Sequence, residues 1–231
     1  MASIPDPDNS TCVLGIDAAW TAHQPSGIAL VQNTANGWNC LAVAPSYAAF
    51  IGQTSGQAWD PEQKATGSRP DPAALLQASQ QLADAAVSCV SVDMPLATTP
   101  ITSRRAADTA ISSRFGPKGC AVHSPSAERP GALADQLRAD FAALGYLLHT
   151  NSKGHTAPAL IECYPHVALL ALLTRNYRVP YKVSRSGQYW KAEQLSRSER
   201  IERLLEQFQK SKLASINTSK ASRTSSPSPP R

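Results

Sequence analysis

Cys12-Val13-Leu14-Gly15-Ile16-Asp17-Ala18-Ala19 is an apolar run with a single acid near its far end, the pattern of a strand buried in a sheet. An ionised carboxylate in such a place costs free energy unless it is paired or binds a cation. Asp17 therefore asks what it meets. A turn with Pro25 and Gly27 follows, then a second apolar run, Ile28 to Val31, and the Asn36-Gly37 pair before Trp38 to Ala44 marks a hairpin into a third strand. Three antiparallel strands open the fold.

Two later runs repeat the motif of the first. Cys89 to Val92 is a short apolar strand that ends in Asp93-Met94-Pro95, where the proline forces the chain out of regular pairing just past the acid. Ala159 to Cys163 is another, carrying Glu162 before Tyr164-Pro165. Between them the spacing predicts helices over 72–87, 103–115, 133–148 and 166–174, with an amphipathic helix over 196–209. Residues 52–72 and 116–130 read as loops. Ala, Leu and Val supply most of the apolar content, which suits helices on a sheet, so the fold class is α/β.

Asp17, Asp93 and Glu162 thus share one description, an acid at or near the end of an apolar strand. Three such acids converge sensibly around a cation or a basic cluster. The carboxyl ends of strands also form the ligand crevice of open α/β sheets. With oxygen ligands alone and no Cys or His cluster beside them, the expected ion is hard, Mg²⁺ or Mn²⁺. The alternative for each acid taken singly is a capping or turn residue.

The formal charge of +5 does not mark a nucleic-acid surface. Lys210, Lys212, Lys220, Arg223 and Arg231 lie past residue 207 with no acid among them; without these five, the 22 basic residues fall to 17, against 17 acids. The body is neutral, and the basic, Ser/Pro-rich segment 210–231 reads as a disordered tail. Residues 1–11 are polar and Pro-rich and read as a flexible N-terminus, with residues 12–209 as one domain. The five cysteines are scattered without a Cys-x-x-Cys pair, which argues against zinc and for free thiols in a reducing compartment. Neither a signal peptide nor a bilayer-spanning run is visible. The expected location is the cytoplasm, with no membrane contact and no obligate protein partner inferred.

Gly15-Ile16-Asp17-Ala18-Ala19-Trp20, Ser26-Gly27-Ile28-Ala29-Leu30, Asp93-Met94-Pro95-Leu96, Arg105-Ala106-Ala107-Asp108, Phe115-Gly116, His123-Ser124-Pro125 and Ile161-Glu162-Cys163-Tyr164-Pro165-His166 together resemble the domain-of-unknown-function family 429. The resemblance runs from about residue 12 to about residue 206. That family is described as predicted nucleases with an RNase H fold, and the opening strand and hairpin also look like those of Holliday-junction resolvases. What the resemblance implies is an RNase H-like mixed sheet, three antiparallel strands then parallel ones, with helices on both faces. It implies a two-metal phosphodiester hydrolase in which Asp17 bridges both ions and Asp93 and Glu162 hold one each. The substrate would be nucleic acid or a small phosphodiester. RNase H-like nucleases add a last carboxylate from a C-terminal helix, whereas here Glu206 is the last acid. The resemblance therefore implies a domain truncated at its C-terminal end, with impaired activity.

Three further residues are candidates for substrate contact. Arg105, spaced i, i+3 from Asp108, is either a phosphate ligand or half of a surface ion pair. His123, before Ser124-Pro125, has no recognisable nucleophile elbow or partnering acid around it and fits a plain loop better than a nucleophile and base pair. His166 follows Pro165 and either touches substrate or supports the Glu162 loop. Tyr181, Lys182, Tyr189 and Trp190 offer base stacking and phosphate contact, or local packing. Two rival functions stand beside the hydrolase: a non-catalytic RNase H-like binding protein, and a nucleotide-binding phosphotransferase, for which the chain lacks a second domain and a Gly-rich phosphate loop.

Overall fold

The computed structural model describes residues 11–60, 63–150, 158–209 and 217–218. Strand β1 (Thr11–Asp17) alternates strictly, with Cys12, Leu14 and Ile16 buried and the residues between them more exposed. It pairs antiparallel with β2 (Gly27–Thr34), which pairs antiparallel with β3 (Gly37–Ala44) across the Asn36-Gly37 turn, where Gly37 takes φ +94. On its other side β1 runs parallel to β4 (Cys89–Val92), β4 to β6 (Ala159–Glu162) and β6 to β5 (Leu147–His149). The order is β5-β6-β4-β1-β2-β3, with the two-residue strand β7 (Asn217–Thr218) beside β3. The expected mixed sheet, antiparallel first and parallel afterwards, is present.

Helix α1 (Tyr47–Gly52) starts on Ser46, whose side chain accepts from the Ala49 N–H. Helix α2 (Pro72–Ala83) starts on Asp71, which accepts from Ala74 N at 3.1 Å ahead of Pro72, a favoured N-cap and first-turn pairing. It stops short of the expected residue 87 because Asp84 turns left-handed at φ 49. Helix α4 (Ala132–Ala143) likewise ends before the expected residue 148. Gly145, at φ +90, breaks it and releases the chain through Tyr146 to β5, a strand hidden in the sequence by helical spacing of Leu144 and Leu148. The remaining helices are α3 (Ala106–Phe115), α5 (Pro165–Leu172), α6 (Ser186–Tyr189) and α7 (Arg197–Gln209).

Phe50, Leu75, Leu137 and Phe141 from α1, α2 and α4 close over Leu14, Leu30, Val90 and Leu160 to form the core on one face of the sheet. Full burial of each such side chain contributes about 1.5–3 kcal/mol. Tyr146, at the head of β5, donates its hydroxyl to Val87 O at 2.7 Å and locks that edge to the segment before β4. All five cysteines are free. Among the described residues no helix is long and apolar enough to cross a membrane. Thr11, placed in the flexible N-terminus by sequence, belongs to β1; the other expectations for 1–10 and 210–231 lie outside the described residues, apart from Asn217 and Thr218 in β7.

Candidate active site at the carboxyl ends of β1, β4 and β6

Strand register decides which acids can meet. Ile16, Val92 and Glu162 lie in one row across β1, β4 and β6, and residues in one row point to the same face. Asp17 and Asp93 stand one residue further along, so they leave the opposite face, side by side on adjacent strands. That face is open: Gly15, Asp17, Ala29, Ser91, Asp93 and Cys163 line a concavity of about 380 Å³. Gly27 is the register partner of Asp17 and presents no side chain against it. Behind Asp17, the Ser26 hydroxyl accepts from Ala19 N at 3.0 Å and fixes the loop that leaves β1.

Asp93 is the perturbed acid of the pair. Burial, then the charge of Asp17, with a smaller push from Glu162 and an opposing pull from Lys182, raises its pKa from 3.8 to about 6. A carboxylate raised in this way is short of positive charge. The backbone beneath it is rigid, since Asp93 N donates to Ile16 O and Cys163 N donates to Val92 O, both at 2.8 Å.

Glu162 does not join this pair. Its Oε2 accepts from Leu96 N at 2.9 Å and from Arg105 Nη1 at 2.6 Å, while Oε1 accepts from Arg105 Nη2 at 2.7 Å. The expectation that Glu162 shares an ion with Asp17 and Asp93 thus meets a one-residue offset in register, Glu162 lying level with Val92 rather than Asp93, that turns it to the other face, and a guanidinium that already neutralises it. Among the described residues no group of three or more His, Cys, Asp or Glu side chains is arranged to hold a metal ion. Arg105 is correspondingly not free for phosphate. It also grips Asp108, whose side chain is only 5% exposed, at 2.7 Å, and donates to Leu96 O at 2.9 Å. Burial acts to raise the Asp108 pKa, but these Arg105 bonds outweigh it and hold the carboxyl below its ordinary value.

His166, the second residue of α5, is buried against Tyr164 and Tyr181, with ring centroids at 5.5 and 5.0 Å. Its Nε2 lies 2.8 Å from Arg178 Nη2; a guanidinium only donates, so Nε2 accepts and the proton sits on Nδ1. Burial, followed by the charges of Arg178, Lys182, Arg185 and His123, pushes its pKa down to about 4. It is a neutral positioning group. His123 lies edge-on to Trp20 at 6.4 Å, in the loop that Arg104 pins through Ser124. Tyr189 and Trp190 pack on each other at 5.8 Å, with Arg203 over the Trp190 ring. They serve local packing. Tyr181 packs on His166, and burial, then the charges of Asp93 and Asp17, raise its hydroxyl pKa well above the ordinary value.

Sequence reasoning passed over Arg178 and the cavity-lining Ser91 and Cys163. Arg178 and Ser91 sit in no motif with a chemical signature, and Cys163, inside the Glu162 motif, reads as a small core residue; alternation outward from Asp93 would have found Ser91. The chain matches the model of the family described as "Protein of unknown function (DUF429)" over residues 15–225, and it belongs to that family. The match continues past residue 206 into the Ser/Pro-rich segment. No curated protein matches the chain, and no solved structure does.

Proposed function

We propose that this family member is a metal-dependent phosphodiester hydrolase of RNase H-like architecture whose ion is held by Asp17 and Asp93. The observation that carries the reading is the pairing of these two acids at the open ends of adjacent strands, with Asp93 raised to about 6 by burial and by the charge of Asp17 beside it. The donor set fits Mg²⁺ or Mn²⁺: it is all oxygen, and Mg²⁺ binds through one or two carboxylates while keeping waters and substrate phosphates as its other ligands. Once bound, such an ion polarises a phosphoryl oxygen and stabilises charge developing on the reacting phosphate. Glu162, Arg105 and Asp108 act beneath the site, holding the Asp93-Met94-Pro95-Leu96 turn in place. The small residues Gly15, Gly27 and Ser91 shape the space in which a phosphoester would lie.

The test has two parts. Mn²⁺ titration calorimetry should find a site in the wild type that Asp17→Asn and Asp93→Asn each remove. A hydrolysis screen with Mn²⁺, Mg²⁺ and chelator, over single-stranded, duplex and branched nucleic acids and a small phosphodiester, should find turnover lost in the same variants. Metal binding without turnover on any substrate would favour the non-catalytic binding protein instead, a reading to which the diversion of Glu162 lends weight.

A further inference from the structure

Beyond the acidic pair, the segment that follows α5 gathers cations that make no ion pair among the described residues. Arg178 is half-buried; its Nη2 is spent on His166, its Nε is buried with no partner, and its backbone N–H donates to Lys118 O at 2.9 Å. Lys182 Nζ lies over the Tyr181 ring at 5.6 Å, and that ring faces His166 at 5.0 Å. Arg185 follows within one 3₁₀ turn, its N–H on Lys182 O at 3.0 Å. Among the described residues no carboxylate lies within ion-pairing distance of Arg178, Lys182 or Arg185; the ion pairs present belong to Arg105 and Arg203. His166 is only 7% exposed and its Nδ1, which carries the proton, has no partner.

Burying part of a guanidinium with no anion beside it is costly, and so is a buried N–H with no acceptor. The histidine at the centre relieves part of the repulsion by staying neutral. An anion placed among these groups would remove the rest. The two regions adjoin at the start of α5, where Pro165 lines the same concavity as Asp17 and Asp93 and its neighbour His166 packs on the Tyr181 ring at 5.0 Å.

We propose that Arg178, Lys182 and Arg185, grouped around His166 and Tyr181, form a phosphate-binding subsite beside the Asp17–Asp93 pair that holds a second phosphate group of the substrate. Its assignment to substrate rests on the hydrolase reading; the anion site itself does not. The phosphate has two possible sources, a terminal monoester or the next diester of a short oligonucleotide, and both present the same non-bridging oxygens to Arg and Lys.

The test uses inorganic phosphate and metal-free full-length protein. Titration at low ionic strength should show saturable binding that Lys182→Gln and Arg185→Gln each weaken by about tenfold, as loss of one charge-assisted contact predicts. Asp17→Asn should bind phosphate at least as tightly as the wild type, because it removes a nearby negative charge. Both Gln variants should keep the wild-type melting temperature, since neither side chain packs in the core. A dinucleotide with a 5′-phosphate that outcompetes its unphosphorylated form would identify the monoester as the source; equal competition by both would identify the diester. No saturable phosphate binding, or equal binding by the double Gln variant, overturns the subsite. Turnover and phosphate binding are read separately. Protein that binds phosphate through these residues but hydrolyses nothing with Mn²⁺ upholds the subsite and overturns the hydrolase. Hydrolysis with an unchanged KM in the double variant does the reverse.

Discussion

Arg105 meets Glu162 through two parallel hydrogen bonds, Nη1 to Oε2 at 2.6 Å and Nη2 to Oε1 at 2.7 Å, and the same guanidinium holds Asp108 with its Nε and Nη2. One arginine therefore neutralises two acids from β6 and α3. Removing it strands a nearly buried Asp108 and a Glu162 whose side chain is one-third exposed. Arg105→Ala should cost about 3 kcal/mol in urea denaturation, the low end for breaking a buried pair. Arg105→Lys should recover little of that, because an ammonium cannot make the paired fork. A loss below about 0.5 kcal/mol in the alanine variant would place the triad among surface pairs of no consequence.

The same geometry separates Glu162 from the metal. Glu162→Gln should leave Mn²⁺ affinity within about threefold of wild type, whereas Asp93→Asn should remove measurable binding. Calorimetry on the two variants decides. Equal loss in both would mean that Glu162 swings to the other face when an ion binds, and the ligand set would have to be redrawn.

Asp93 should be a burden in the metal-free protein. Its folded pKa, about 6, lies above the unfolded value of 3.8, so between those values the folded state binds more protons than the unfolded. Stability must therefore fall as pH rises through that window, with the full penalty above about pH 6. Asp93→Asn should stabilise the chelated protein at pH 7.5 on the order of 2 kcal/mol and leave stability at pH 3.5 nearly unchanged. An asparagine variant less stable than wild type at pH 7.5 would show that the carboxylate is well compensated.

The sheet was readable because apolar runs, the Asn36-Gly37 turn and the Asp93-Met94-Pro95 break each leave a local mark. The placement of Asp17 beside Asp93 followed from the same marks, since both close buried strands that neighbour each other. Glu162 was legible as a strand-end acid but not as to its face, because β6 is four residues long and its register against β4 is set by tertiary pairing. A slip of one residue would have turned it toward Asp93. Arg105 looked like a surface partner of Asp108 because spacing along α3 shows only the near contact, and the Glu162 contact spans 57 positions. Strand β5 was hidden for a different reason: Leu144 and Leu148 continue the stripe of α4, and only the positive φ of Gly145 separates them.

His166 should give acid sensitivity of the opposite sign to Asp93. Its folded pKa of about 4 lies below the ordinary 6.5, so between these values the unfolded chain binds more protons and stability falls as pH falls, the loss being complete near pH 4. In an Asp93→Asn background, where the competing titration is absent, lowering pH from 7 to 4.5 should cost on the order of 2 kcal/mol. His166→Gln keeps an acceptor for Arg178 Nη2 and should flatten that slope. A slope unchanged by the substitution would assign the acid sensitivity to other groups.

Metal binding to the acidic pair should itself depend on pH. A divalent ion and a proton compete for Asp93, so the stabilisation by Mn²⁺ should be small at pH 5, where the carboxyl is largely protonated, and should grow as pH rises through about 6. At a metal concentration 100 times the dissociation constant, the gain at pH 7.5 should approach about 2.7 kcal/mol. Asp17→Asn should lose most of that gain at every pH, since one carboxylate alone is a weak ligand for a hard ion. Asp93→Asn should lose both the gain and its dependence on pH. Glu162→Gln should retain both, because its carboxylate belongs to Arg105. Melting curves for these proteins at pH 5, 6 and 7.5, with chelator and with Mn²⁺, supply the comparison. A gain that is independent of pH in the wild type, or that survives in Asp93→Asn, would place the ion elsewhere on the protein and take from the acidic pair its proposed role.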